Sequence, residues 1–211
     1  SLRWNISDEP WMEATRKWLS MWSIRPSWGR VGNQPNNDYL YESKYGSTSR
    51  YLDMAAMKPL NIRLTDLRWE TTTTYDVGMD IGLFNDRINL TFEWYHSTRR
   101  DMLMQNVRIP SNSGFGSLAV ANVGSMRNIG WEFNITTRRA IEKGKFYADF
   151  NVSFANNSNE ILSMDPTVLE SLNSEFHFGN REVLQRVQLH NPFVAIYGFR
   201  YKGVYEYNYD T

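Results

Sequence analysis

Carboxylates are the residues of this 211-residue chain that come closest to a catalytic set. Two of them could pair across a cleft, as the general acid and the base or nucleophile of a glycosidase do. The candidates are Asp80, Glu93, Glu132 and Asp149. Each lies inside a stretch in which polar and apolar residues alternate, and a polar wall explains that position without catalysis. We therefore predict no catalytic residue and no enzyme activity.

Other catalytic and metal-binding patterns are missing from the sequence. The three histidines, His96, His177 and His190, are scattered and lack metal-ligand spacing. The chain has no cysteine, which excludes a thiolate metal site, a cysteine nucleophile and a disulfide framework. Neither a Gly-x-Ser-x-Gly elbow nor a phosphate-binding loop occurs. We therefore expect no cofactor and no metal.

Strict alternation in "YDVGMDIGLFNDRINLTFEWY" (75–95) indicates the elements that would position these carboxylates. A period of two is typical of β-strands, and the polar residues 85–87 are typical of the turn of a hairpin. On this pattern Asp76, Asp80 and Glu93 share one face, and aliphatic and aromatic residues share the other. The sequence leaves open whether that apolar face meets a protein core or lipid.

Two further stretches repeat the alternation. They are "GWEFNIT" (130–136), which contains Glu132, and "FYADFNVSF" (146–154), which contains Asp149. Repeated acidic and amide side chains on one face would be costly in a dry core but suit a wet lumen or a polar plug. We therefore predict that Asp76, Asp80, Glu93, Glu132 and Asp149 face a lumen. A two-layer sandwich with one solvated face could show the same alternation.

The aromatic content favours a membrane barrel over a soluble β protein only in part. The chain has 8 Trp, 12 Tyr and 11 Phe, which make 15% of its residues, although its mean hydropathy is −0.55. Barrels place Trp and Tyr at both membrane interfaces, but sugar-binding surfaces and the core of a soluble β-sandwich also use aromatics. No apolar run approaches the roughly 20 residues of a membrane helix. Acidic and basic residues balance at 23 each, which gives no support to a nucleic-acid partner.

The spacing of the strand-like stretches favours a barrel. Predicted strands cover about 2–7, 19–33, 70–84, 88–109, 126–141, 145–163 and 193–209. Short turns at 85–87 and 143–144 alternate with long polar links at about 34–69, 110–125 and 164–192. Residues 8–18 could form a short helix that Asp8 caps. Short periplasmic turns and long extracellular loops are typical of outer-membrane barrels. The predicted fold is an all-β, antiparallel transmembrane β-barrel segment of about seven strands.

The long link at 37–58 is the candidate contact surface for a ligand or a protein lid. Its tyrosines are interleaved with charged residues, and loops on a rigid scaffold are where binding usually occurs. The candidate contacts are Tyr39, Tyr41, Tyr45, Arg50 and Tyr51. The alternative is a loop that packs on itself or on a partner.

Four ordered stretches resemble SusC-like TonB-dependent outer-membrane transporters. They are "SIRPSWGRVGNQ" (23–34) with its Gly-x-x-Gly-Asn turn, "LRWETTTTYDVGMDIGLFNDRINLTFEWY" (67–95), "NVGSMRNIGWEFNI" (122–135) and "IYGFRYKGVYE" (196–206). The resemblance implies import of an oligosaccharide or peptide across the outer membrane of a Gram-negative bacterium, together with a SusD-like lipoprotein. It also implies energy from TonB through a plug domain.

The resemblance further implies that residues 1–211 are one part of a larger, plugged barrel. About seven strands cannot close a 22-stranded barrel, so the plug and the remaining strands are expected outside this chain. The start at Ser1, without Met or a signal-like stretch, is expected of a mature or truncated product. A soluble β-sandwich that binds carbohydrate and a β-rich glycosidase remain as alternatives.

Overall fold

Antiparallel strands make up most of the molecule. The computed structural model describes residues 1–36, 38–51, 54–139, 141–143, 146–173, 184–193, 195–198 and 200–204. Its strands are β1 (Trp4–Asn5), β2 (Leu19–Asn33), β3 (Tyr45–Tyr51), β4 (Met54–Pro59), β5 (Glu70–Leu83), β6 (Ile88–Arg100), β7 (Leu103–Arg108), β8 (Ser117–Asn122), β9 (Gly124–Thr137), β10 (Ile141–Lys143), β11 (Phe146–Ala148), β12 (Asn151–Met164), β13 (Leu184–Arg186) and β14 (Ala195–Tyr197). The α-helix α1 is Pro166–Leu172, and 3-10 turns cover Ile6–Asp8, Pro10–Thr15 and Ser111–Ser113.

One open sheet forms the centre of this architecture. Its strand order is β1-β2-β5-β6-β9-β12, and all of its pairs are antiparallel. Four small hairpins, β3-β4, β7-β8, β10-β11 and β13-β14, lie in the connections or after the sheet. The predicted hairpin at 75–95 is confirmed, because β5 and β6 pair without interruption from Leu83 opposite Ile88 to Thr71 opposite Arg100.

The long connections between strands lie at one end of the sheet, and the short ones lie at the other. The links 34–69 and 101–123, and the segment that begins at 165, leave one end, which we call the long-loop end. The links 6–18, 84–87 and 138–150 lie at the other, the short-turn end. The predicted placement of short connections at one end and long ones at the other is therefore confirmed, although residue 144 of the predicted turn at 143–144 lies outside the described residues.

The tight turn at the short-turn end forms for reasons visible in its residues. Phe84, Asn85 and Asp86 have φ values of 53°, 54° and 60°, and Asn and Asp tolerate this left-handed region best after glycine. The backbone N–H of Asp86 donates to Oγ of Ser20 at 3.1 Å, which ties the turn to β2. Asn89 Nδ2 donates back to the Asp86 carbonyl at 3.0 Å.

Several predicted boundaries are wrong. The expected strand 88–109 breaks after Arg100, because Asp101 adopts a φ of 53° and the chain then turns into the hairpin β7-β8. The expected strand 145–163 is divided between β11 and β12, which belong to different sheets. Residues 8–18 form 3-10 turns, and Asp8 lies in the first of them and caps no helix. Of the expected strand 193–209 the structure describes only β14 as extended, and 205–209 lie outside the described residues.

The central sheet is not the core of a two-layer sandwich. Among the described residues, no second sheet packs against either of its faces. Its apolar side chains stay partly open, with Phe154 52% and Trp131 40% exposed. A compact apolar cluster of Val107, Val123 and Val168 lies instead at the long-loop end.

Candidate functional site: two sheet faces and a loop platform

The polar face of the sheet brings four of the five predicted carboxylates together. The register places them in three adjacent rows that cross five strands. These rows are Ser23–Asp80–Thr91–Asn134–Ser153, Arg25–Gly78–Glu93–Glu132–Ala155 and Ser27–Asp76–Tyr95–Gly130–Asn157. Side chains alternate between faces along each strand, so all three rows project to the same side. The surface is a continuous hydrophilic wall.

Arg25 organises the acidic part of this wall. Its Nε lies 2.9 Å from Oδ2 of Asp80, and its Nη2 donates to Oδ1 of Asp80 at 3.3 Å and to Oε1 of Glu93 at 3.2 Å. A second donor to Asp80 is Ser23 Oγ at 3.3 Å. Arg25 therefore bridges two carboxylates from different strands. Arg25 was not predicted as a site residue, although it shares its face of the strand with Ser23 and residue 27, and that alternation was visible in the sequence.

Gly78 makes room for this bridge. It lies between Arg25 and Glu93 in the same row, and a Cβ atom at Gly78 would come within 3.1 Å of Arg25 Nη2 and 3.2 Å of Cζ. The guanidinium therefore lies flat over the glycine and reaches both acids. Gly130 plays the same part for Tyr95, whose hydroxyl would be 2.4 Å from a Cβ at that position.

The remaining carboxylates have different surroundings. Glu132 stands opposite Glu93, is exposed, and has no ion-pair partner among the described residues. Asp149 lies in the break between β11 and β12, where its Oδ1 accepts a hydrogen bond from the backbone N–H of Arg139. The expectation that Asp149 sits within a strand is therefore wrong, because the chain leaves the sheet before it reaches this residue. It lies at the short-turn end.

The opposite face of the sheet is apolar in register. Adjacent rows hold Trp22–Ile81–Leu90–Ile135–Val152, Ile24–Met79–Phe92–Phe133–Phe154 and Pro26–Val77–Trp94–Trp131–Asn156. The row beyond them holds Trp28–Tyr75–His96–Ile129–Ser158, in which the rings of Tyr75 and His96 lie 6.2 Å apart. Aromatic side chains thus concentrate toward the long-loop end of the apolar face.

The height of this apolar face matches a bilayer. From Leu83 to Tyr75 the rows extend about 27 Å along the strand, which a tilt near 40° reduces to about 21 Å. Barrels carry an apolar band of about 25 Å bounded by aromatic girdles. Trp18 and Phe84, which are 47% and 53% exposed, supply aromatic side chains at the short-turn end.

The tyrosine-rich link is partly described and exposed. Tyr39, Tyr41 and Tyr45 are 60%, 56% and 62% exposed, and the rings of the first two lie 6.4 Å apart. Arg50 and Tyr51 lie on β3, in register with Ala55 and Met54 of β4. Residues 37, 52 and 53 of this link lie outside the described part. The structure brings these candidate residues onto one hairpin and its approach.

Hydrogen bonds join the long loops into a platform. Asn122 Oδ1 accepts from Arg68 N–H at 2.8 Å, and its Nδ2 donates to the carbonyls of Arg68 and Asp101 at 2.9 and 2.8 Å. The buried Glu70 accepts from Leu103 N–H at 3.0 Å. Beside Asn122, residues 62–67, Leu118 and residues 120–122 line a groove of about 370 Å³. This groove also was not predicted, because it depends on contacts between distant loops.

A helix cap closes the platform. Asp165 precedes α1, and its Oδ1 accepts from Thr167 Oγ1 and from the N–H groups of Thr167 and Val168. The hydroxyl of Thr167 and these N–H donors lower the pKa of Asp165 below its ordinary value. The carboxylate therefore anchors the start of α1, whose Val168 is buried in the apolar cluster.

The described residues contain neither a candidate metal site nor a helix that could span a membrane. Within them, no three His, Asp or Glu side chains are grouped closely enough to hold a metal ion. The helices in this part of the chain are all too short or too polar to cross a membrane.

Comparisons with known proteins point in one direction. The family model "TonB dependent receptor-like, beta-barrel" matches residues 1–207. The chain is similar to TonB-dependent receptor P3 of Formosa agariphila, with 28% identity over 98% of the chain and 20% of that protein. It is also similar to TonB-dependent receptor SusC of Bacteroides thetaiotaomicron, with 29% identity over 99% of the chain and 21% of that protein.

A solved structure supports the same relationship. The structure of the RagAB peptide transporter matches with a TM-score of 0.63 and 26% identity, over 78% of this chain and 18% of that chain. The chain thus spans about a fifth of the length of the curated relatives it matches. Since the family model covers nearly every residue and the two-faced sheet has the expected form, the chain belongs to the TonB-dependent receptor-like β-barrel family.

Proposed function

We propose that this chain is a stretch of the barrel wall of an outer-membrane importer of the SusC type. The observation that carries the proposal is the central sheet, which has one hydrophilic and one apolar face across the same strands and all its long loops at one end. In this arrangement the apolar face meets outer-membrane lipid and the polar face lines the lumen. The long-loop end faces the cell exterior, and the short-turn end faces the periplasm.

The polar wall is suited to reversible contact with a plug domain. It carries Asp76, Asp80, Glu93 and Glu132, and among these only Asp80 and Glu93 are bridged by Arg25. A wet, mostly acidic surface can be covered and uncovered without exposing apolar groups. We assign energy input to TonB acting through a plug domain that lies outside these residues.

Substrate selection belongs to the long-loop end. The exposed tyrosines 39, 41 and 45 and the groove at residues 62–67, 118 and 120–122 offer contact surface for an oligosaccharide or a peptide, or for a SusD-like lipoprotein lid. RagAB is described as a peptide transporter, which supports the peptide class, whereas the oligosaccharide class and the lipoprotein lid follow from the resemblance to SusC-like transporters.

The polar wall gives no positive support to the enzyme alternative. Asp80 and Glu93 both contact Arg25, and an ion-pair network on a polar wall explains these carboxylates without catalysis. A soluble carbohydrate-binding sandwich would bury the apolar face, which the structure leaves open. We therefore propose transport without catalysis.

Cysteine labelling in cells tests the orientation. In the complete receptor, made free of other cysteines, Tyr41→Cys at the long-loop end should react with a membrane-impermeant maleimide on intact cells. Lys17→Cys, at an exposed position of the short-turn end, should react only after the cells are lysed. Labelling of both positions on intact cells would refute the proposed orientation. Uptake of peptide and oligosaccharide mixtures by the same strains, with and without TonB, tests import itself.

A further inference from the structure

A row of arginines and threonines continues the apolar face toward the long-loop end. The row Arg30–Thr73–Thr98–Arg127–Glu160 lies directly beyond the row of Tyr75 and His96 and projects to the same side. The next row contains Thr71 and, opposite it on β6, Arg100. The chain thus places three guanidinium groups and three hydroxyls immediately beyond the aromatic boundary of the apolar band.

The charges of this surface are only partly neutralised. Arg127 pairs with Glu160, which also contacts Nδ1 of His190 at 3.1 Å. Arg30 and Arg100 are exposed, and neither has an ion-pair partner among the residues that the structure describes. Arg100 lines a cavity with Asp101 and Asp165, but no carboxylate of the described residues forms an ion pair with it or with Arg30. The surface therefore keeps two arginines without an ion-pair partner, on either side of Thr71, Thr73 and Thr98.

The position of this surface relative to a bilayer suggests its ligand. On the orientation proposed above, on which this inference rests, Arg30 and Arg100 lie about 7 and 14 Å along the strands beyond the aromatic row. Lipid headgroups occupy that level, because aromatic girdles mark the boundary of the hydrocarbon. Arginine suits phosphate, since its planar fork can donate two hydrogen bonds to one group.

An apolar groove lies below the same surface. Phe92, Trp94, Trp131, Phe133 and Phe154 line an open space of about 510 Å³ on β6, β9 and β12. Arg127 lies on β9, in line with two of these residues and nearer the long-loop end. The five residues that line the groove are all aromatic, which suits an acyl chain.

We propose that this face holds a phosphate-bearing lipid of the outer leaflet at a specific site. Arg30 and Arg100 bind the phosphate, and Thr73 and Thr98 donate to it or to neighbouring headgroup oxygens. One acyl chain lies in the aromatic groove below. Charge complementarity selects this occupant, because two uncompensated arginines favour an anionic headgroup and disfavour a second copy that brings the same arginines to the contact.

Native mass spectrometry of the complete receptor in detergent tests the site. The probes are lipid A with both phosphates and lipid A from which the phosphates have been removed. We expect the receptor to bind the phosphorylated lipid more tightly. Arg30→Gln and Arg100→Gln should each weaken it about fivefold. The double variant should weaken it more than either single variant, although the two losses are not expected to multiply, because both arginines contact the same phosphate.

Two controls give the experiment its specificity. Arg108→Gln removes an exposed arginine on β7, outside the row, and should leave the affinity unchanged. Trp131→Ala opens the groove and should weaken both forms of the lipid. Equal affinity of the double variant and the parent, or equal binding of the two lipids, would overturn the proposal. An equal loss in Arg108→Gln, or a dimer mass in place of the lipid adduct, would also overturn it.

TonB-dependent uptake by the same proteins separates this inference from the proposed function. A parent receptor that imports its substrate but binds no phosphorylated lipid A refutes the lipid site alone. A receptor that binds the lipid with the predicted dependence on Arg30 and Arg100 but imports nothing refutes the proposed function alone.

Discussion

The substitution of Leu90 by arginine tests which face meets lipid. Leu90 lies in the apolar row with Ile81 and Ile135, one row from the middle of the band, whereas its neighbour Thr91 lies between Asp80 and Asn134 on the polar face. A charge at the midplane of a barrel's lipid face costs about 2–4 kcal/mol, and the cost falls to about 0–1 kcal/mol near the interfaces. One row is about 5 Å of depth after tilt, so we expect Leu90→Arg to cost about 2 kcal/mol.

Thr91→Arg is the matched control, since it adds the same side chain one residue away. Its guanidinium would enter a polar wall beside Asp80, and we expect a cost below about 1 kcal/mol. Reversible urea titrations of the complete receptor in lipid vesicles measure both free energies of unfolding. Equal costs at the two positions would refute the assignment of faces, and with it the proposed orientation of the polar wall.

Three further predictions follow from the polar face and the loops. Gly78→Val should weaken the arginine bridge by forcing the guanidinium off the sheet, and a urea titration should show a loss of about 1–3 kcal/mol. Asp165→Ala should cost about 1 kcal/mol and speed amide exchange in α1. Because the folded pKa of Asp165 is lowered, its stabilisation of α1 is present above its ordinary pKa and disappears as the pH falls through the folded value. The protection factors of the α1 amides, which are corrected for intrinsic exchange, should therefore fall there in the parent but not in the variant. Replacing Tyr39, Tyr41 and Tyr45 together by Ala should weaken uptake of substrate or co-purification of the lipoprotein lid. The heat-modifiable migration of the barrel should not change. Unchanged uptake and lid binding would show that this loop lacks the proposed role.

Local pattern was enough to predict the faces of the hairpin at 75–95. In a strand the side of each residue is set by its parity alone, so Asp80 and Glu93 could be assigned to one face without any knowledge of their neighbours. The turn was also predictable, because Asn85 and Asp86 tolerate the left-handed backbone that it requires.

What could not be predicted depends on pairing between distant segments. The bridge from Arg25 to Asp80 and Glu93 exists only because β2 pairs with β5 in one register, across a long link that the sequence does not constrain. Asn122 likewise joins residue 68 to residue 101 through loop geometry. Asp149 was wrongly placed within a strand because the alternation of residues 146–154 continues across residues 149 and 150, where the structure has no strand.

The two faces of the central sheet and the largely unpaired edge of β12 together indicate which structure is stable. Apart from two hydrogen bonds between Ile161 and residues 190–191, no described strand pairs with the second edge of β12. In lipid each unpaired backbone group costs several kcal/mol, so a sheet whose apolar face meets hydrocarbon needs further strands on that edge. An apolar face of this kind is stable in contact with lipid, and a sheet in lipid is stable only when its edges are paired to close a barrel. We infer that stability and transport belong to a closed barrel in which this sheet is one part of the wall, and that each substitution argued above acts on that larger structure.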